Sequence, residues 1–187
     1  MKPAWMLLPL LWALNAGAME WQPDPAVPLQ VAVADTMREF HTRNPDLEPF
    51  FRDACAIAVF PRVVRVGLLL GGGWGRGLLL YNGAVHGEVS QSAFSLGLQA
   101  GGQSFRQIIF FRTCEAMSEF TESGNLGALS GRVELVGRAS AQAGTSGVSM
   151  DPGFTSDVAL FSLTRGGVML ELVAAGVRYR FTPSVHP

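Results

Sequence analysis

The chain of 187 residues has one lysine, two cysteines, three histidines and charged side chains at only 16% of its positions. Each scarcity excludes something. The lysine is Lys2, so every later cation is an arginine. Cationic surface contact then rests on guanidinium forks rather than ammonium points. A net charge of −1 argues against bulk electrostatic binding to nucleic acid. Cys55, Cys114, His41, His86 and His186 are too scattered to give a metal-ligand spacing. No G-x-S-x-G occurs, because "GGQSFR" lacks the final glycine. No metal, no cofactor and no catalytic constellation are expected.

What is present begins with a leader pattern. Lys2 precedes the apolar stretch "AWMLLPLLWAL", Ala4 to Leu14, and Ala16-Gly17-Ala18 suits cleavage before Met19. The apolar run is short for a membrane span, and no cysteine near the cut suggests a lipid anchor. Residues 1–18 are therefore expected to be a signal peptide, 19–28 a proline-rich lead, and 29–187 one domain, large enough for a single core. Without Lys2 the exported chain has thirteen arginines against fifteen acidic residues, a net −2. Its expected location is periplasmic or membrane-associated. In an oxidising compartment Cys55 and Cys114 could pair; two buried, unpaired thiols are the other reading.

Periodicity organises the rest. Leu29, Val33, Met37 and Phe40 recur at helical spacing up to Asn44-Pro45. A short second helix is expected from Asp46 as N-cap, with Pro49 in its first turn. From Ile57 the texture changes to short apolar runs punctuated by glycine and serine, read as eight strands. One helix, "TCEAMSEFTES", interrupts them, capped by Thr113 with Met117 and Phe120 facing inward. Residues 139–157 read as a connection. The expected class is α+β: N-terminal helices on a mostly antiparallel, strongly curved or barrel-like sheet.

The segment "VGLLLGGGWGRGLLLYNG", Val66 to Gly83, poses the sharpest question. A phosphate-cradling Walker loop needs a terminal lysine and hydroxyl, and Gly75-Arg76-Gly77-Leu78 has neither. The dinucleotide register G-x-G-x-x-G fails at Arg76 or at Leu78. Instead Gly71, Gly73, Gly75 and Gly77 alternate at strand period, leaving one face without side chains. Either a binding partner or a tightly curved strand would use such a face. Gly101 is assigned a structural role with them. The other face carries Trp74 and Arg76, a pair suited to an apolar–polar boundary.

Phe60-Pro61-Arg62 and Gly73-Trp74-Gly75-Arg76-Gly77, within "AIAVFPRVVRVGLLLGGGWGRGLLL", resemble the core signature of the SYLF-domain family. "SLGLQAGGQSFRQIIFF" and "ALFSLTRGGVMLELVAAG" are similar to that family's second and terminal segments, and Gly137-Arg138 to a pair between them. The resemblance covers most of residues 29–181. "NGAVHGEVSQSAF" departs from it, lacking the tryptophan and proline usual before the second block. So do "VELV", where the family has Ala-Gly-Pro, and Thr164-Arg165, where a serine-lysine pair is common. The resemblance implies a divergent bacterial member that binds lipid at a membrane surface without catalysis. Fungal members also bind actin, which an exported chain without lysine is not expected to do.

The residues offer two lipid-facing elements. One is the stripe Leu29, Val33, Met37 and Phe40, whose alternative role is packing on the sheet. The other is Arg62, Arg65 and Arg76 around Trp74, since guanidinium groups match phosphate. Two alternatives stand beside a phospholipid binder. A small outer-membrane barrel suits the size and "VRYRF", but not the continuous apolar runs. A hydrolase would draw on His86 and Glu88, two apart on one strand face.

Overall fold

The computed structural model describes residues 21–124, 157–164, 167–170 and 177–184. The leader, the expected strand at 131–140, most of the connection at 139–157, Gly137-Arg138 and His186 lie outside these residues. Helix α1 spans Pro28–Arg43. Pro28 opens it, where its missing N–H costs nothing, and the Asn44-Pro45 step ends it. A 3-10 turn, Pro45–Leu47, leads into α2, Glu48–Asp53. Asn44 caps the 3-10 turn, its side chain accepting the Asp46 N–H, and Leu47 stands at the N-cap of α2 without a side-chain bond, in place of Asp46 as the sequence suggests. Asn44 is the last residue before Pro45, so its oxygen reaches the free N–H two residues on.

The eight expected strands resolve differently. "IAVF", "VVRVGLLLG" and "WGRGLLLYN" are one strand, β1, Ala56–Tyr81, and the next two runs are β2, Ala84–Phe111. Asn82 and Gly83, with φ of 48° and 70°, join them in a tight turn of the primed kind. Glycines break the apolar periodicity without breaking the ladder. After α3, Cys114–Ser123, come β3, Val158–Thr164, β4, Gly167–Leu170, and β5, Val177–Pro183. The order is β1-β2-β3-β4, with β5 also paired to β2, all antiparallel. The class is α+β with an antiparallel sheet. The sheet does not close: among the described residues β1 pairs only β2, and β4 only β3.

The long ribbon turns back on itself. Val59 and Gly77 would be roughly 60 Å apart on a straight strand, yet a Cβ on Gly77 would overlap the Val59 carbonyl. Gly75 lies against Val63 and the Arg62 carbonyl, and Gly73 against Arg65 and the Val64 carbonyl. The two halves of β1 thus meet in antiparallel order. A register shift between Gly67 and Leu69 sits midway between them, where a bulge can bend a strand. In β2 the Gln91 amide donates to Gln107 at 2.8 Å, and Gln107 donates to Ser162 at 3.3 Å. All three are buried, so this neutral polar chain stitches the two halves at their interface.

Both faces of the first half of the ribbon are covered, which is why "AIAVF" and "IIFF" are apolar without alternation. On one face Val33, Phe40, Leu47, Phe50 and Phe51 pack on Ile57, Val59, Leu78, Leu80, Ile108 and Phe110. Phe50–Phe161 and Phe51–Phe110 meet edge to face at 5.0 and 4.9 Å. On the other face α3 sets Met117 and Phe120 against Phe60, Phe111 and Tyr179. Thr113 caps α3 by accepting the Ala116 N–H. Cys55 and Cys114 form a disulfide, tying the start of β1 to the start of α3.

Candidate functional site

The glycine face is not a ligand cradle. Its bare side is filled at Gly77 by the backbone of β1 and at Gly73 and Gly75 by backbone and side chains of β1 and β2, so of the sequence alternatives the structure realises the close-packed strand. Side chains from β1 to either side of these glycines must then point outward, and Trp74 and Arg76 do.

The helical stripe follows its packing alternative in large part. Val33 and Phe40 are fully buried, and Leu29 and Met37 pack partly buried against the same core. Val33 and Phe40 are thereby core residues, and Leu29 and Met37 keep only part of their surface exposed. The apolar face of the sheet beneath them takes up the stripe.

The arginines near the glycines do not form one cluster. Arg65 lies on the glycine face, its guanidinium 4.7 Å over the Phe105 ring. Arg62 is exposed where the β1–β2 register shifts. Arg76 is on the opposite face of β1, at period two from Trp74. His86 and Glu88 do not pair either. His86 stacks on Phe181 at 5.3 Å, and Glu88 accepts from Arg76 at 2.8 Å. The catalytic alternative loses its acid–base geometry. No group of three or more His, Cys, Asp or Glu residues among the described residues could hold a metal.

Instead, the register assembles a surface that sequence distance hides. Trp74 is opposite Ser92, and Ser92 opposite Arg178; Arg76 is opposite Ser90, and Ser90 opposite Arg180. The outer face of β1, β2 and β5 therefore carries two rows, Trp74–Ser92–Arg178 and Arg76–Ser90–Arg180. Trp74 is 56% exposed. Arg178 and Arg180 are exposed and form no ion pair among the described residues. The alternate residues, Gly75, Gln91 and Tyr179, are buried on the other side. Arg178, Arg180, Ser90 and Ser92 are the residues a linear reading misses. The signal was there in "VRYRF": arginines at period two flanking an aromatic.

Elsewhere charge is spent on structure. Glu39 takes both Arg43 of α1 and Arg106 of β2, the latter at 2.6 Å, pinning α1 to the sheet. The Arg52 hydrogen bond, opposed by desolvation and aided by the Arg52 charge, holds the Asp53 carboxyl below the ordinary range on the exposed end of α2. No described helix is long and apolar enough to cross a membrane, a statement that does not bear on strands. No protein-family model matches the chain, and no curated protein matches it.

Proposed function

We propose that this is an exported, non-catalytic phospholipid-binding protein, a divergent relative of the SYLF family, that docks on a membrane through the outer face of β1, β2 and β5. The observation that carries the reading is Trp74. A large indole stands in solvent on an otherwise polar face, flanked by Arg76 and with Arg178 in the same row. Indole favours the boundary where one end is apolar and the other wet, and arginines beside it meet anionic headgroups. The Cys55–Cys114 disulfide supports an oxidising, extracytoplasmic location. Leu78 and Leu80, next along the same face of β1, are covered by α1 rather than turned to lipid, which favours a surface binder over a membrane barrel. We read the doubled-back ribbon as the bent part of a strongly curved, barrel-like sheet; the approach of Gly77 to Val59 supports this.

The test is co-flotation of the purified chain with neutral and with anionic vesicles at low and high salt. Flotation on anionic vesicles, weakened by salt and by Trp74→Ala, is the expected result. No flotation under any condition overturns membrane binding.

A further inference from the structure

The geometry points to a phosphate subsite in the cleft between β5 and the C-terminal end of α3; the lipid as its source rests on the membrane-docking reading, while the phosphate chemistry does not. The cleft holds roughly 600 Å³, and its walls include Ser90, Ser92, Arg178 and Arg180, with Ser123 and Gly124 at the end of α3. Arg178 faces Ser92 across the ladder and Arg180 faces Ser90. Directly opposed side chains in such a ladder start about 5 Å apart, and residues two apart along a strand about 7 Å apart. Two guanidinium forks and two hydroxyls thus start from one patch of about 5 by 7 Å, within reach of a single phosphate group. Among the described residues the cleft walls contain no acidic side chain, in contrast to Arg76, which Glu88 already holds. The Gly124 carbonyl, which would repel an anion, is turned to the β5 backbone and accepts the Tyr179 N–H at 2.7 Å. One guanidinium fork pairs with carboxylate and phosphate alike, but two forks need more acceptor oxygens than the two of a carboxylate, and a phosphate monoester offers three.

The experiment has a soluble arm and a vesicle arm, both on the full exported chain. In the first, unfolding midpoints are measured with glycerol phosphate, and with acetate at matched ionic strength. Glycerol phosphate at ten times its dissociation constant is expected to raise the midpoint by roughly 3–6 °C; acetate is not. Arg178→Ala and Arg180→Ala are each expected to weaken phosphate binding about tenfold or more. Arg178→Lys, which keeps charge but not the fork, should fall between, and Arg38→Ala, on α1, should change nothing. In the second arm, vesicles carrying phosphatidic acid are compared with vesicles of equal charge carrying oleate. Preference for phosphatidic acid, competed by glycerol phosphate and lost in Arg178→Ala, identifies a lipid headgroup as the source. Stabilisation by glycerol phosphate without that preference identifies a soluble phosphoester. Equal flotation on both vesicles, with no stabilisation by glycerol phosphate, overturns the subsite and leaves membrane docking intact. Absence of flotation overturns docking alone, and the soluble arm then decides the subsite.

Discussion

Gly77 is where a single methyl group would do most harm. Its missing Cβ is occupied by the Val59 backbone, which cannot rotate aside as a side-chain end would. Gly77→Ala should therefore destabilise the fold by about 3 kcal/mol or more, lowering the thermal midpoint by roughly 6–12 °C. Gly72 is the internal control. A Cβ there meets only the Ala93 carbonyl, at an ordinary 3.8 Å. Gly72→Ala should be neutral, or stabilising by up to about 1 kcal/mol through the unfolded chain. Equal losses at the two positions in a melting experiment would remove the doubled-back ribbon. Trp74 and Phe40 form a second contrast. Phe40 is fully buried, and Phe40→Ala should cost about 3–5 kcal/mol. Trp74→Ala should leave stability within about 1 kcal/mol, since the indole is mostly in water, and should instead reduce vesicle binding. Chemical denaturation and flotation on the same two variants separate core from surface.

Among elements, α3 depends on more than its own sequence. It has ten residues, too few to be a stable helix alone in water. Three ties hold it: the Thr113 cap, the burial of Met117 and Phe120, and the disulfide to Cys55. The bridged positions are 59 residues apart, so chain-entropy reasoning assigns the crosslink about 4 kcal/mol. The double variant Cys55→Ser, Cys114→Ser should lose that much in denaturant unfolding, and hydrogen exchange should rise first in α3. Protection in α3 equal to the parent's would show that packing alone retains the helix. The amphipathic period of α1 was readable from spacing, and so was the Thr113 start of α3, because caps and stripes are local. The single length of β1 was not. Glycines that usually punctuate strands here serve a close approach between its own halves, a contact no local pattern encodes.

At the scale of the whole molecule, charge is sparse and placed. The exported chain would have no lysine, so its only amine would be the α-amino group of Met19. An amine-reactive reagent should add one label to the protein recovered from the periplasm and two to an uncleaved chain, which still has Lys2. Intact-mass measurement reads the number of labels and the site of the cut; two labels would mean that Lys2 is still present and the leader uncleaved. With a net charge near −2, long-range attraction to an anionic surface is weak, so the proposed docking rests on local arginines. Salt should then reduce flotation steeply through Arg76, Arg178 and Arg180, and Arg38→Ala should leave that dependence unchanged.

Sequence by itself determined the class of element over the described residues, the position of α1 and α3, the lack of a metal-ligand spacing and the failure of both nucleotide motifs. These rest on short-range rules: periodicity, caps and residue chemistry within a few positions. Only the tertiary structure decided which faces meet. It turned the Leu29, Val33, Met37 and Phe40 stripe into core, separated Arg65 from Arg76, joined Cys55 to Cys114, and brought Trp74 and Arg76 into line with Arg178 and Arg180 a hundred residues later. Register and burial cause this. A strand presents alternate residues to opposite sides, so what a side chain can do depends on the partner strand and on whatever covers that side.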